Sequence, residues 1–283
     1  MGFAPGRSNC PELGGAAYTG RVAVPVRQNS GTQLIIKDVP GDMLATFGME
    51  IVECGGAIAM HVRAGGRAYA AVAFSRPESR PQIEAAARVL GVTEVRFLGL
   101  EAGDLPSGAA AKIPFVRLVR EWRPNVVITQ DPVHAFGDLD PGRREIMTVY
   151  LESLALAGRD WRRDECGDHD PHAVKAIYYM IPTTPTCVVD IAPVWELKER
   201  AMDQLTAQMR FSGEHFKRSL GAASRILAPD ADPDGDPAAF GRAMHRATDL
   251  AYHVASAIHA HTPFALAEPY RREGVYPFTR LPE

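Results

Sequence analysis

The chain has 283 residues, 46% of them hydrophobic, enough for one large domain with its own core, so disorder over most of the length is excluded. With 31 basic against 34 acidic side chains and a net charge of −3, it lacks the basic excess of a phosphate-backbone binder, and nucleic acid is not an expected partner. Cys10, Cys54, Cys166 and Cys187 form no CxxC pair, no apolar run reaches the roughly 20 residues of a membrane span, and no basic-then-apolar signal pattern opens the chain. The expectation is a cytoplasmic protein that contacts no membrane and acts on a small molecule.

Residues 1–32, rich in Gly and Pro without a sustained period, read as an extended arm. From Gln33 onward strand-length apolar runs alternate with helix-length amphipathic ones. The runs are LIIKDV (34–39), AYAAVAF (68–74), EVRFLGL (94–100) and NVVIT (125–129), and helical stretches follow at 49–64, 81–90, 110–121 and 141–157. This alternation predicts an α/β fold, a Rossmann-like open, mostly parallel sheet sandwiched by helices. Gly55-Gly56 and Gly65-Gly66 bracket the first helical stretch. Later come VKAIYYM (174–180), CVVDIA (187–192), a helix over 194–209, an acidic loop at 228–238 and a last helix over 239–260. DADPDGD (230–236) in that loop lacks the closing Glu of an EF-hand and reads as solvated. The expected organisation is an arm at 1–32, a catalytic domain at 33–215, and a C-terminal helical segment and tail at 216–283 packed on the same domain.

In an open parallel sheet the ligand crevice lies beyond the carboxyl ends of the strands, where strand order reverses. Two polar segments meet that rule, 38–43 running into 49–56 and 130–144, and they supply the candidates. Asp42 reads as a base, a metal ligand or a helix N-cap. Asp140, followed by Pro141, reads as a site carboxylate or as the cap of the next helix. Arg143 cannot ligate a metal; it holds an anionic substrate group or a developing oxyanion, with Arg144 beside it, or it is a salt bridge tying the two loops. His134, Asp42 and Asp138 together would make a set for zinc, manganese or iron, against a plain loop histidine bonded to a carbonyl. Glu50 and Glu53, three apart, are substrate-binding candidates or a solvated helix face. His215, after the helix that carries Lys198, is a further candidate. His169, His172, His245, His253, His259 and His261 read as surface or interface positions. No GxSxG elbow and no GxGxxG loop occur, which sets aside serine-hydrolase and dinucleotide chemistry.

An ordered set of segments resembles the LmbE-like or PIG-L (GlcNAc-PI de-N-acetylase) family: a first loop of xPxD form, CGGAIAMHVRAGG (54–66), AAARVLGVTEVRFLGLEAGDL (85–105), RPNVVITQDP (123–132), the Asp-Pro-x-Arg-Arg helix entry at 140–144 and VDIAPVWELKERAMDQLTAQ (189–208). The similarity covers about residues 33–210, and the tail LAEPYRREG (266–274) is also similar. The resemblance implies a zinc site built from HPDD after strand one and HxxH after strand four, where zinc-activated water attacks an amide carbonyl. Here VPGD laid on HPDD puts Val39 and Gly41 where a ligand and the base belong and leaves Asp42 matching. DPGR laid on HxxH puts Asp140 in the oxyanion slot and Arg143 in a ligand slot. The expectation is therefore a divergent hydrolase of this family, acting on a C–N (amide) bond of a small, polar, anionic substrate by water attack at a carbonyl carbon. Asp42, His134, Asp140 and Arg143 would be catalytic, and zinc or another divalent metal is either present or lost. The alternatives are a hydratase or lyase acting on an unsaturated oxo-acid, and a non-catalytic binding module. The length of the arm and of the C-terminal segment leaves room for a homo-oligomer.

Overall fold

β-Branched and small apolar runs become the strands β1 (Pro40–Ala45), β2 (Arg67–Phe74), β3 (Glu94–Leu100), β4 (Val126–Gln130), β5 (Ala176–Met180), β6 (Cys187–Asp190) and β7 (Ala267–Glu273). In the computed structural model, which describes residues 40–45, 48–105, 108–138 and 140–273, they form one sheet in the order β3-β2-β1-β4-β5-β7-β6. Strands β1 to β5 are parallel, and β7 runs antiparallel between β5 and β6. The helices are α1 (Glu50–Glu53), α2 (Gly55–Arg63), α3 (Arg80–Val89), α4 (Ala109–Trp122), α5 (Pro132–Gly137), α6 (Pro141–Ala157), α7 (Trp195–Met202), α8 (Thr206–Leu220), α9 (Ser224–Leu227) and α10 (Pro237–His259).

Side chains alternate across a strand, and β2 shows why both faces of this sheet are covered. Its Ala70 and Val72 join a core with Ile58 of α2, Ile83 of α3 and Met202 of α7, while Ala71 and Ala73 join another with Phe115 of α4 and Tyr150 of α6. The architecture is thus the expected α/β type: a mostly parallel open sheet between helical layers. Among the described residues no helix is long and apolar enough to cross a membrane. The arm at 1–32 lies outside the described residues.

Three expectations are corrected. PGDMLA (40–45), expected as part of a loop, is the strand β1; it has little β-propensity of its own and is fixed by ladders to β2 on one side and β4 on the other, while the run expected at 34–39 lies outside the described residues. The helix expected over 194–209 is two helices, α7 and α8, separated at 203–205. The tail contributes a strand, β7, despite Pro269 and its charged residues. Pairing with β5 involves 270–273 and pairing with β6 involves 267–270, so the proline sits where β5 has already ended.

Candidate functional site

Strand order reverses between β1 and β4: β2 and β3 lie on one side of the pair, β5 on the other. The crevice at their carboxyl ends is where a ligand is expected. β4 ends on Gln130, 3% exposed, whose Nε2 donates to Oε1 of Glu50 at 2.8 Å. Glu50, 1% exposed, is the first residue of α1, so this bond spans the switch point. Arg143, in the first turn of α6, brings a guanidinium nitrogen to 3.8 Å from the same Glu50 oxygen and its Nε to 3.2 Å from Asp138 Oδ2. The Arg143 and Asp138 side chains remain about a quarter exposed, at 26% and 28%, and form the open rim above buried Glu50.

The rim is built by local chemistry. Asp140 caps α6 by accepting from Gly142 N at 2.9 Å, with Pro141 at the first helical position. Asp138 Oδ1 accepts from Asp140 N at 3.0 Å, and Arg144 donates to the Asp138 carbonyl. Asp131, 1% exposed, caps α5 through Val133 N at 2.8 Å and takes two bonds, of 2.9 and 3.1 Å, from Arg271 of β7. That guanidinium lies 4.4 Å over the Tyr179 ring.

Glu53, partly buried, closes α1. Burial first, then the neighbouring Glu50 carboxyl, pushes its carboxyl up to about 8; Asp249 adds to this, while Arg143 and Lys198 oppose it. A carboxyl group in that range keeps its proton at neutral pH.

The structure thus brings Glu50, Glu53, Asp138, Asp140, Arg143 and Arg144 to one edge of the sheet. It does not bring Asp42 there. Asp42 lies inside β1, paired with Tyr69 and Val127, three residues and about 10 Å short of the strand end. The four residues that follow β1 in sequence, 46–49, read TFGM and contain no His, Asp or Glu. His134 is exposed on α5, and His215 is exposed on α8, a helix packed against α10. His253, expected at the surface or an interface, is buried on α10, with its Nδ1 3.1 Å from Ala267 O, and burial pushes it down to about 4.

These placements bear on the metal question posed by the resemblance. Zinc needs three or four converging His, Cys or carboxylate donors. Among the described residues no group of three or more such side chains is so placed. Asp138 already serves Asp140 N and Arg143, and a guanidinium stands in the ligand slot. The described residues of this edge do not fit zinc.

No family model matches the chain. A diacetylchitobiose deacetylase of Thermococcus kodakarensis is 29% identical over 118 residues, 41% of this chain and 44% of that relative, so the match spans less than half of the curated protein's length. Solved structures share the fold: 4-carboxy-2-hydroxymuconate hydratase from Pseudomonas putida (TM-score 0.61, 16% identity, 87% of this chain and 100% of that one) and N,N'-diacetylchitobiose deacetylase from Pyrococcus horikoshii (0.61, 17%, 85% and 87%). A conserved protein of Thermus thermophilus is similar at 0.60, with 18% identity over 86% of this chain and 96% of that one. Within this fold, the roles of Gln130 and Arg271 were missed by sequence reasoning. Gln130 ends a strand run and Arg271 sits in a charged tail, and neither position announces a long-range partner.

Proposed function

We propose that the chain is a hydrolase that cleaves a C–N bond of a small anionic substrate by acid–base chemistry at the β1/β4 switch point. The observation that supports this most is the placing of Glu53, with its carboxyl pushed up to about 8, beside Glu50 and Arg143. Two carboxyl groups in different surroundings next to a guanidinium supply an acid, a base and an anion clamp. Arg143, at the open rim, binds the substrate's anionic group or the oxyanion that develops at the attacked carbonyl. Glu50, held by Gln130, takes a proton from water as the water oxygen bonds to the carbonyl carbon. Glu53 gives its proton to the departing nitrogen as the C–N bond breaks. The products are a carboxylic acid and an amine.

A second reading is addition of water to an unsaturated oxo-acid, supported by the same guanidinium, which suits a carboxylate. The Pseudomonas neighbour, described as a hydratase, has this fold over its full length. The test is turnover of the purified chain on a panel of small N-acetylated acids and a panel of unsaturated oxo-acids. Wild type converting an N-acetylated acid, with Arg143→Ala slower by about 100-fold in kcat/KM, supports the hydrolase. Conversion confined to the oxo-acids transfers the assignment to a hydratase, and no conversion of either panel leaves a binding module.

A further inference from the structure

Behind the crevice lies a second polar cluster that the acid–base scheme leaves unused. Lys198 of α7 and Glu268 of β7, with side chains 3% and 2% exposed, pair at 2.7 Å. Glu268 also accepts from Gly56 N at 2.8 Å, Ala57 N at 2.7 Å and the Tyr270 hydroxyl at 2.8 Å. Gly56 and Ala57 open α2, and amides in a first turn have no partner within their own helix. Lys198 Nζ donates once more, to the carbonyl of Glu53 at 2.6 Å. The cluster balances its buried charge internally, and despite burial the Glu268 carboxyl is held below its usual range by Lys198 and the other donors. Gly56 is demanded by this approach: a Cβ there would meet Glu268 Oε1 at 2.6 Å and collide with Ile191.

The bonds converge on the short elbow that joins α1 to α2. α1 has four residues and no side-chain cap, too short to hold its own geometry. Buried Ile51 and Val52 anchor it to the core, but apolar contacts are non-directional and do not fix how Glu50 and Glu53 are turned. The ties from Lys198 and Glu268 are directional and end on Glu53 itself and on the residues three and four beyond it.

We infer that Lys198 and Glu268 are positioning residues for the crevice: they clamp the α1–α2 elbow from behind, so that Glu50 and Glu53 meet Arg143 and Gln130 in register. The inference rests on the acid–base reading of Glu50 and Glu53. It gives Lys198 and the LAEPYRREG tail a shared purpose, since Lys198 and Glu268 lie 70 residues apart in sequence and pair here.

The test uses the full chain with 13C-labelled glutamate carboxyls and compares wild type with Lys198→Met/Glu268→Gln. That double variant removes both charges together and keeps one acceptor for the α2 amides. The groups facing Glu53 are Glu50 on its own helix, Arg143 on α6, Lys198 on α7, and Asp249 and Tyr252 on α10. The variant should raise the Glu53 titration midpoint by about 0.5 unit or more, because one opposing positive charge has gone. Amide exchange at 53–57 should quicken at least 10-fold, and kcat should fall at least 10-fold while KM stays within about 2-fold. Should the double variant not fold, Tyr270→Phe removes one donor to Glu268 with both charges and the core packing retained, and a smaller increase of exchange at 53–57, about 3-fold, is expected. An unmoved Glu53 midpoint with unchanged exchange at 53–57 overturns the positioning role. A moved midpoint in a protein that turns over neither substrate panel overturns the acid–base reading and leaves the clamp standing.

Discussion

Glu53→Gln should flatten the dependence of stability on pH. In the folded chain the Glu53 carboxyl is raised from an ordinary 4.5 to about 8, so between those values the folded state holds a proton that the unfolded state has released. Stability therefore falls as pH rises through this window and is fully present only below it. At 1.36 kcal/mol per unit, the rise from pH 5 to pH 8 removes up to about 4 kcal/mol. Side-chain relaxation and water entry at a partly buried group reduce this to about 2 kcal/mol. The glutamine has no proton to lose. His245 and His253, both pushed down to about 4 chiefly by burial, act in the opposite sense, losing stability as pH falls below about 6.5. They are common to both proteins and cancel in the difference. Urea unfolding at pH 5, 6, 7 and 8 should show wild type losing about 2 kcal/mol more than the variant between the extremes. Parallel stability curves for the two proteins would show that the Glu53 carboxyl is not shifted, and the acid assigned to the crevice would be gone.

Other outcomes follow from the same contacts. Arg120, 1% exposed, donates to the carbonyls of Leu156, Ala157, Arg159 and Trp161 at and beyond the end of α6; the first three also accept backbone N–H groups, so Arg120→Met removes the tie between these turns and should cost about 1–3 kcal/mol in chemical denaturation. Asp131→Asn keeps the cap on α5 but loses the paired bonds from Arg271, and a loss of about 1–2 kcal/mol is expected, with faster amide exchange in β7. Dialysis against a chelator should leave turnover within about 2-fold, because the donors at the crevice do not fit zinc; a loss of activity restored by zinc contradicts that assignment.

The strands β2 to β6 were legible because their β-branched and apolar runs are punctuated by Gly and Pro, which mark turns wherever they stand. β1 was not legible: PGDMLA lacks the composition of a strand, yet it makes ladders on both sides. Pairing with two neighbours outweighed local propensity, which puts Asp42 in a strand where a loop was expected. Glu50 is the first acid after β1 in sequence. Asp140 was legible as a helix entry and Arg143 as a salt bridge between the two polar segments, because Asp-Pro starts helices and an arginine among acids needs a partner. The Lys198–Glu268 pair joins segments distant in sequence, and no local pattern encodes such a meeting. His253 was misplaced because an eight-residue spacing shared with His245 on one helix identifies a common face without saying which way it points.

The central claim is that the proton on Glu53, beside Arg143 at the β1/β4 switch point, is used in turnover. The direct measurement is kcat/KM against pH from 5 to 10 for wild type and Glu53→Gln on whichever panel substrate is converted. Wild type should decline above about pH 8, and the variant should be slower by at least about 100-fold with a retained circular dichroism spectrum. Turnover by Glu53→Gln equal to wild type, with the same pH profile, would contradict it.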